Sequence, residues 1–456
     1  MKQTVISKVV GNDLCIGCGL CAALCPQNAL AMQWNRYGEY NPVEISPCTT
    51  ECGSCLKVCP FTDSGENEDT IGKRLYGEIP GIHHLPETGY YLASYIGYSE
   101  KHRLTSASGG VATWLLEALL VEGIVDHAIC VAPTGDPDKL FSFQVFDTPK
   151  EVRTGAGSAY YPVEMSDVIR HVLDHPGRYV ITGLPCFIKA IRLAQHRNKK
   201  LQERLVVTIG LVCGQMKSTH FSDYIAALAG VQGKVMSVRY RGKSPDQPVN
   251  NYHYLFKTCE GDEKKIFWRD GISEAWTNRW FTPNACNYCD DVFAECADVV
   301  CMDAWLPEYS RDSGGMSLVL VRSPGVQKVI EGGAAITLNS IPPEKIIQSQ
   351  AGVMEVKRPQ LMYRLYNAHQ NGLKVPRKRV KPTRKVNYFL RQEVLLKEQM
   401  RLASKENWIT LVLVRKSFRQ MMQPYLRRLQ RRNWVSRVIT LPIQVIKKAM
   451  QGYRHE

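Results

Sequence analysis

Eight of the sixteen cysteines fall between Cys15 and Cys59. Cys15, Cys18, Cys21 and Cys25, followed by Pro26, read C-x2-C-x2-C-x3-C-P. Three thiolates spaced by two residues can wrap one face of an iron–sulfur cubane, and a fourth, displaced by a turn, serves a second cluster. Cys48, Cys52, Cys55 and Cys59, followed by Pro60, repeat the pattern with one extra residue in the first gap. The expected ligand sets are therefore crossed: Cys15, Cys18, Cys21 and Cys59 for one 4Fe–4S cluster, and Cys48, Cys52, Cys55 and Cys25 for the other. Gly17, Gly19 and Gly53 would turn backbone N–H groups toward the sulfurs. Structural zinc also uses C-x2-C, but a third cysteine at the same spacing and two Cys-Pro endings favour iron and sulfide.

Cys186 in TGLPCF and Cys213 in GLVCGQ each follow an expected strand, where ligands collect in open α/β sheets. Cys286 and Cys289 form a C-x2-C pair. The four could hold a third cubane or a metal; buried apolar cysteines and a redox dithiol account for them too. Cys296 and Cys301 compete as ligands, and Cys130 and Cys259 look incidental. Ser106-Ala107-Ser108-Gly109-Gly110 precedes a strong helical pattern. Small residues there would let a cofactor phosphate approach the helix N-terminus, while a serine cap with a flexible glycine is the plainer reading. The loop is not G-x-G-x-x-G, so a nicotinamide fingerprint is unsupported.

These residues need elements to hold them. The 456 residues allow two or three domains. Residues 1–62 read as a two-cluster ferredoxin domain of the bacterial α+β type, and the polar, Gly/Pro-punctuated 63–89 as a linker. From 90 to 340, strand and helix patterns alternate (YYLASYIGYS, VDHAICVA, RYVITG, FIKAIRLAQHR, LVVTIGLVC), which predicts an α/β domain with a partly parallel sheet. A basic helical extension occupies 341–456. Residues 374–456 hold 22 Lys and Arg against 4 Asp and Glu, and the rest of the chain holds 36 against 39. The body is near neutral and the tail carries the charge. A nucleic-acid-binding body is disfavoured. KVPRKRVKPTRK is expected to be solvated and flexible. NWITLVLVRKSFRQMMQPYLRRLQRRNWVSRVITLPIQVIKKAM is expected to be basic and amphipathic, suited to an anionic membrane surface or to packing on the body or in an oligomer, with Pro424 and Pro442 breaking any long helix. No run of about 18 apolar residues is present, so no spanning helix is expected. The start lacks an apolar signal region. A reducing, cytoplasmic location follows, with the tail peripheral at the inner face of the membrane.

The ordered motifs SASGGVATWLLEALLVEGIVD, SAYYPVEMSDVIRHV, ITGLPCFIKAIR, GLVCGQ, CNYCDD…ADVVCMDAW and GGMSLVLVRS, behind two cubane motifs, resemble the beta subunit of coenzyme F420 hydrogenase/dehydrogenase with a fused ferredoxin domain. The resemblance spans about residues 10–330. It implies FAD in the α/β body, with Ser108, Gly109, Gly110, Ser158 and Tyr160 against it, and a flavin-proximal 4Fe–4S cluster on Cys186, Cys213, Cys286 and Cys289. Where the family has a Gly-Asp-aromatic run, this chain has Met302-Asp303-Ala304-Trp305, and it adds about a hundred residues at the end. The implied activity is an oxidoreductase relaying electrons between a redox partner protein or ferredoxin and a small-molecule substrate, coenzyme F420 or another acceptor. A non-catalytic electron-transfer subunit and a membrane-associated reductase of a surface-polysaccharide pathway are the alternatives. Tyr160, Tyr161, His171 and Asp303 are the titratable candidates for a general acid, each more readily structural.

Overall fold

A computed structural model describes residues 3–50, 52–63, 66–410 and 418–452, with side chains up to 438. The expected amphipathic segment, 407–450, therefore lies partly outside the described residues, at 411–417 and, for its side chains, at 439–450.

The cysteine-rich module is built twice on one plan. Single-turn helices Leu20–Ala23 and Ser54–Lys57 each start behind a glycine at positive φ, Gly19 at 85° and Gly53 at 62°. The left-handed region is open to glycine without strain. It turns the chain between the second and third cysteines of each motif. A hairpin of Leu30–Trp34 and Tyr40–Glu44 completes the module.

Residues 63–89, expected as a linker, instead carry the helix Glu68–Tyr76 and the hairpin His83–Leu85/Gly89–Tyr91. The polar residues that suggested a solvated spacer have structural partners. Asn67 caps the helix in a reciprocal capping box with Thr70. Glu68 is buried against Lys189 at 3.1 Å. Tyr76 donates to the Cys296 carbonyl at 2.9 Å.

The body is a mixed eight-stranded sheet. Across it, the strands run 336–340, 93–99, 317–321, 299–303, 205–211, 179–183, 127–133 and 141–146. The four from 299–303 to 127–133 are mutually parallel, and the remaining pairings are antiparallel. Side chains alternate between two cores. Tyr179 and Ile181, with Leu318 and Leu320, face helices Ser166–Asp174 and Pro185–Gln195. Val180, Val319 and Val321 face helices Val111–Val121 and Pro324–Gly332. An antiparallel three-stranded sheet, Val235–Gly242, His253–Thr258 and Glu263–Phe267, stands apart from the main one.

In its described residues the extension is packed on the body. Within KVPRKRVKPTRK, expected to be solvated, Lys378 and Arg379 are buried on acidic partners, with only 5% and 8% of their side chains exposed. Helix Tyr388–Thr410 packs against helix Phe418–Gly452. Trp408, Phe418 and Met422 join the body's core beside Tyr224 and Phe281. Helix Phe418–Gly452 continues through Pro424 and Pro442. Each proline removes one backbone bond, and burial of Met422 and Leu426 holds the first of these turns in place.

Candidate redox site

The crossed cysteine sets each line one cavity. Cys25, Cys48, Cys52 and Cys55 surround a cavity of about 390 Å³. Cys15, Cys18, Cys21 and Cys59 surround a second, much tighter one. Gly17 N–H points at Cys15 Sγ at 3.4 Å, and Ala29 N–H at Cys25 Sγ at 3.3 Å. Burial pushes the Cys18 thiol up to about 11 and that of Cys59 up to about 12. Hydrogen bonds from Ser54 bring Cys52, at the open site, down to about 7. Metal-ligating thiols must be deprotonated, so the buried set needs a strongly positive occupant. Among the described residues no three His, Cys, Asp or Glu side chains close on a point that would suit a single ion. The cavity lined by Cys25, Cys48, Cys52 and Cys55 has room for a multi-iron cluster.

The body cysteines meet at one rim of the sheet. Strands 179–183, 205–211 and 299–303 are parallel, and Cys186 and Cys213 lie just past the ends of the first two. Cys186 sits in the first turn of helix Pro185–Gln195. Cys286 and Cys289 come from the short turn Asn284–Tyr288 and its end. Burial raises the Cys186 thiol well above its ordinary value, and the neighbouring Cys289, Cys213 and Cys286 raise it further. Met216 N–H lies 3.3 Å from Cys286 Sγ. The competitors are elsewhere. Cys301 and Cys130 face the opposite core, and Cys259 is exposed. Cys296 is buried among Glu68, Asp291 and Lys189.

The same rim carries the glycine loop. Ser99 N–H donates to the Gly109 carbonyl at 2.8 Å. A side chain on Gly109 would meet Gly97 O at 2.5 Å and Ser317 N at 2.7 Å. One on Gly110, at φ 82°, would meet the His102 backbone at 2.8 Å. Close packing of protein on protein thus explains both glycines. Ser108 Oγ donates to Met316 O at 2.6 Å, and Lys243 Nζ donates to Ser108 O and Gly314 O at 2.7 and 2.6 Å. Helix Val111–Val121 has no capping side chain.

Tyr160 lies in an aromatic chamber with Tyr240, Tyr254 and Trp276, its ring 4.7 Å from that of Trp276. Ser158 and Tyr252 hydrogen-bond to it. Arg241 reaches this chamber from the three-stranded sheet, lying 4.7 Å over Tyr252 and 5.1 Å over Trp305. Among the described residues, Arg241 Nε and Tyr254 Oη are buried without a hydrogen-bond partner. Buried polar atoms are rarely left so, and here they suit a bound polar ring system. The segment 213–217 ties the chamber to the thiols: Cys213 belongs to the thiol set, Met216 donates to Cys286, and Gln215 donates to Trp276 O at 2.8 Å.

Two acid candidates lie elsewhere. His171 stacks on His175 at 4.1 Å, near the start of strand Tyr179–Gly183 and thus at the opposite rim. Tyr161 packs edge-on to Trp34 of the ferredoxin hairpin. Arg241, Tyr252, Tyr254 and Trp276 were not anticipated. For Arg241 the sequence signal is the alternation of Arg239, Tyr240 and Arg241 along one strand; Tyr252, Tyr254 and Trp276 lie outside that strand.

Residues 94–170 and 177–344 match the family profiles for the N-terminal and C-terminal parts of the coenzyme F420 hydrogenase/dehydrogenase beta subunit. Residues 14–62 match a 4Fe-4S dicluster domain. A component of the F(420)H(2) dehydrogenase of Methanosarcina mazei is 22% identical over 303 residues, covering 64% of this chain and 76% of that protein. A chain from the F420-reducing NiFe hydrogenase complex of Methanosarcina barkeri superposes with a TM-score of 0.50 at 17% identity, covering 65% of this chain and 99% of that one. That likeness supports the fold. Among the described residues no helix is long and apolar enough to cross a membrane. With its dicluster module in front and both halves of the body matched in order, the chain belongs to the family of coenzyme F420 hydrogenase/dehydrogenase beta subunits, which are oxidoreductases.

Proposed function

We propose that the protein is an iron–sulfur flavoprotein that relays electrons between the two ferredoxin clusters, a third cluster on Cys186, Cys213, Cys286 and Cys289, and FAD in the aromatic chamber. The observation that carries this reading is the segment 213–217, which joins the body thiols to the chamber around Tyr160 and Trp276. Bound clusters would supply one-electron steps, and bound FAD would pair them into a two-electron or hydride transfer.

The chain's own residues supply position and charge. Ser158, Tyr160, Tyr252 and Trp276 provide stacking surface and hydroxyls. Arg241, held by Asp303, fixes a positive charge beside the rings. Lys243 braces the 108–110 loop, where Ser108, Gly109 and Gly110 would meet the cofactor through their backbone, the sides that lack a Cβ being packed against protein. The open cavity at Cys25, Cys48, Cys52 and Cys55 makes that site the entry or exit for a redox partner protein or ferredoxin. The acceptor at the flavin is a small molecule, with coenzyme F420 the first to try. Exposed Trp434, Val435 and Val438 beside Arg431 and Arg437 suit an anionic membrane surface.

A second reading, an electron-transfer subunit whose partner holds the catalytic centre, is favoured by the relatives, since both named relatives are parts of dehydrogenase or hydrogenase assemblies. Anaerobic purification with iron, sulfide and flavin analysis tests the relay. About twelve irons and one FAD per chain are expected; about eight irons without flavin would leave the ferredoxin module alone. Turnover of reduced coenzyme F420 with an artificial acceptor separates the two readings.

A further inference from the structure

The family match ends at residue 344, yet chain beyond it reaches the body thiols and packs beside the tight ferredoxin site. Lys357, only 3% exposed, donates from Nζ to Cys289 Sγ at 3.2 Å and to Asp291 O at 2.6 Å. Lys378 sits 5.3 Å over the ring of Phe61, two residues after Cys59, and 3.4 Å from Asp290, the residue after Cys289. It therefore lies between the tight ferredoxin site and the body thiols. Lys189, one turn after Cys186 on the same helix, pairs with Glu68 at 3.1 Å.

These three lysines are not equivalent. Lys189 and Lys378 are each matched by a carboxylate. Lys357 has no carboxylate within 4.0 Å among the described residues; its partners are a sulfur and a carbonyl. Its charge is therefore directed at the ligand sulfur. One-electron reduction adds a negative charge to a cluster while no bond is made or broken. A buried cation that also donates a hydrogen bond to a ligand sulfur favours the reduced form, since net charge and hydrogen bonds to sulfur set cluster potentials.

We infer that the C-terminal extension is a working part of the relay: Lys357 is a positioning residue that raises the reduction potential of the body cluster, so that electrons leaving the ferredoxin module settle next to the flavin. The inference rests on the proposed third cluster.

The test uses the full chain, reconstituted anaerobically, with iron content and EPR-monitored redox titration of wild type, Lys357→Met, Lys357→Gln and Lys357→Arg. The Met and Gln variants should keep about twelve irons and lower the body cluster's midpoint alone. The reduction equilibrium should fall tenfold or more, which is 59 mV for a one-electron centre. Lys357→Arg should stay near wild type, and the two ferredoxin clusters should not move in any variant. An unmoved body potential in the Met variant, or an equal shift of all three clusters, overturns the inference. Loss of four irons in both the Met and Gln variants makes Lys357 a structural prop and also overturns it. Eight irons in the wild type would instead mean that the third cluster itself is absent.

Discussion

Arg241 and Asp303 form a two-point pair, with Nη1 and Nη2 at 2.7 and 2.8 Å from the two carboxylate oxygens. Arg241 is 4% exposed at its side chain. Asp303 lies in the Met302-Asp303-Ala304-Trp305 run at the end of its strand. A buried guanidinium that loses its partner is strongly penalised, so Asp303→Asn should destabilise the protein by about 3 kcal/mol. It should also lower flavin retention, because Arg241 would no longer be held over Tyr252 and Trp305. Urea unfolding together with flavin content after gel filtration measures both.

The crossed ligand sets give a sharp spectroscopic expectation. Cys59→Ser should abolish the same EPR signal as Cys18→Ser, and Cys25→Ser the same signal as Cys52→Ser. Pairing by sequence proximity instead, with Cys25 grouped with Cys18, would contradict the two cavities. The Cys52 cluster, at the more open cavity, should bleach first in air.

Arg379 clamps three parts of the chain. It reaches Glu295 at 2.6 Å, Asp69 at 2.8 Å and Asp290 at 3.4 Å. Arg379→Met would leave Glu295 with Arg358 and Asp290 with Lys378 but remove the charge-assisted hydrogen bonds that join them to the extension, at a cost of about 1.5–3 kcal/mol. Thermal denaturation should show the loss. Limited proteolysis should show earlier cleavage in 374–387 than in wild type.

His220 introduces acid sensitivity where the ferredoxin, body and extension meet. Burial and then the charge of Lys405 hold its pKa down to about 4. The unfolded chain therefore binds a proton that the folded chain refuses between about 6.5 and 4. Stability from this group is full above the unfolded value and falls as pH drops through that window. The difference in urea midpoint between pH 7.5 and pH 5 should be smaller in His220→Asn than in wild type. Equal differences would assign the acid sensitivity to other groups.

The helix surface at 427–438 should bind anionic vesicles weakly. Cosedimentation with phosphatidylserine liposomes should fall several-fold at 0.5 M salt, since each basic residue near the surface contributes about 1 kcal/mol that salt screens. The double substitution Trp434→Ser and Val438→Ser should weaken it further. Binding that survives both changes would rule out this face.

The cysteine sequence determined the dicluster module, and its spacing predicts the crossed sets whose members line the two cavities, because cubane ligation imposes short, fixed spacings that survive as a local pattern. Alternation of strand and helix patterns determined the α/β body for the same reason: period and turn signals are local. It also placed Cys186 and Cys213 beyond strand ends. Other features were decided only by tertiary structure. Asn67, Glu68 and Thr70 look like solvated linker residues until Lys189 and the helix cap are seen. Lys378 and Arg379 look like a flexible basic run until Asp290 and Glu295, some ninety residues earlier, bury them. Arg241 and Asp303 are sixty-two positions apart, and Lys357 and Cys289 sixty-eight. A charge carries no mark of its partner in the local sequence, so whether it is solvated, paired or aimed at a sulfur is settled only when the chain folds.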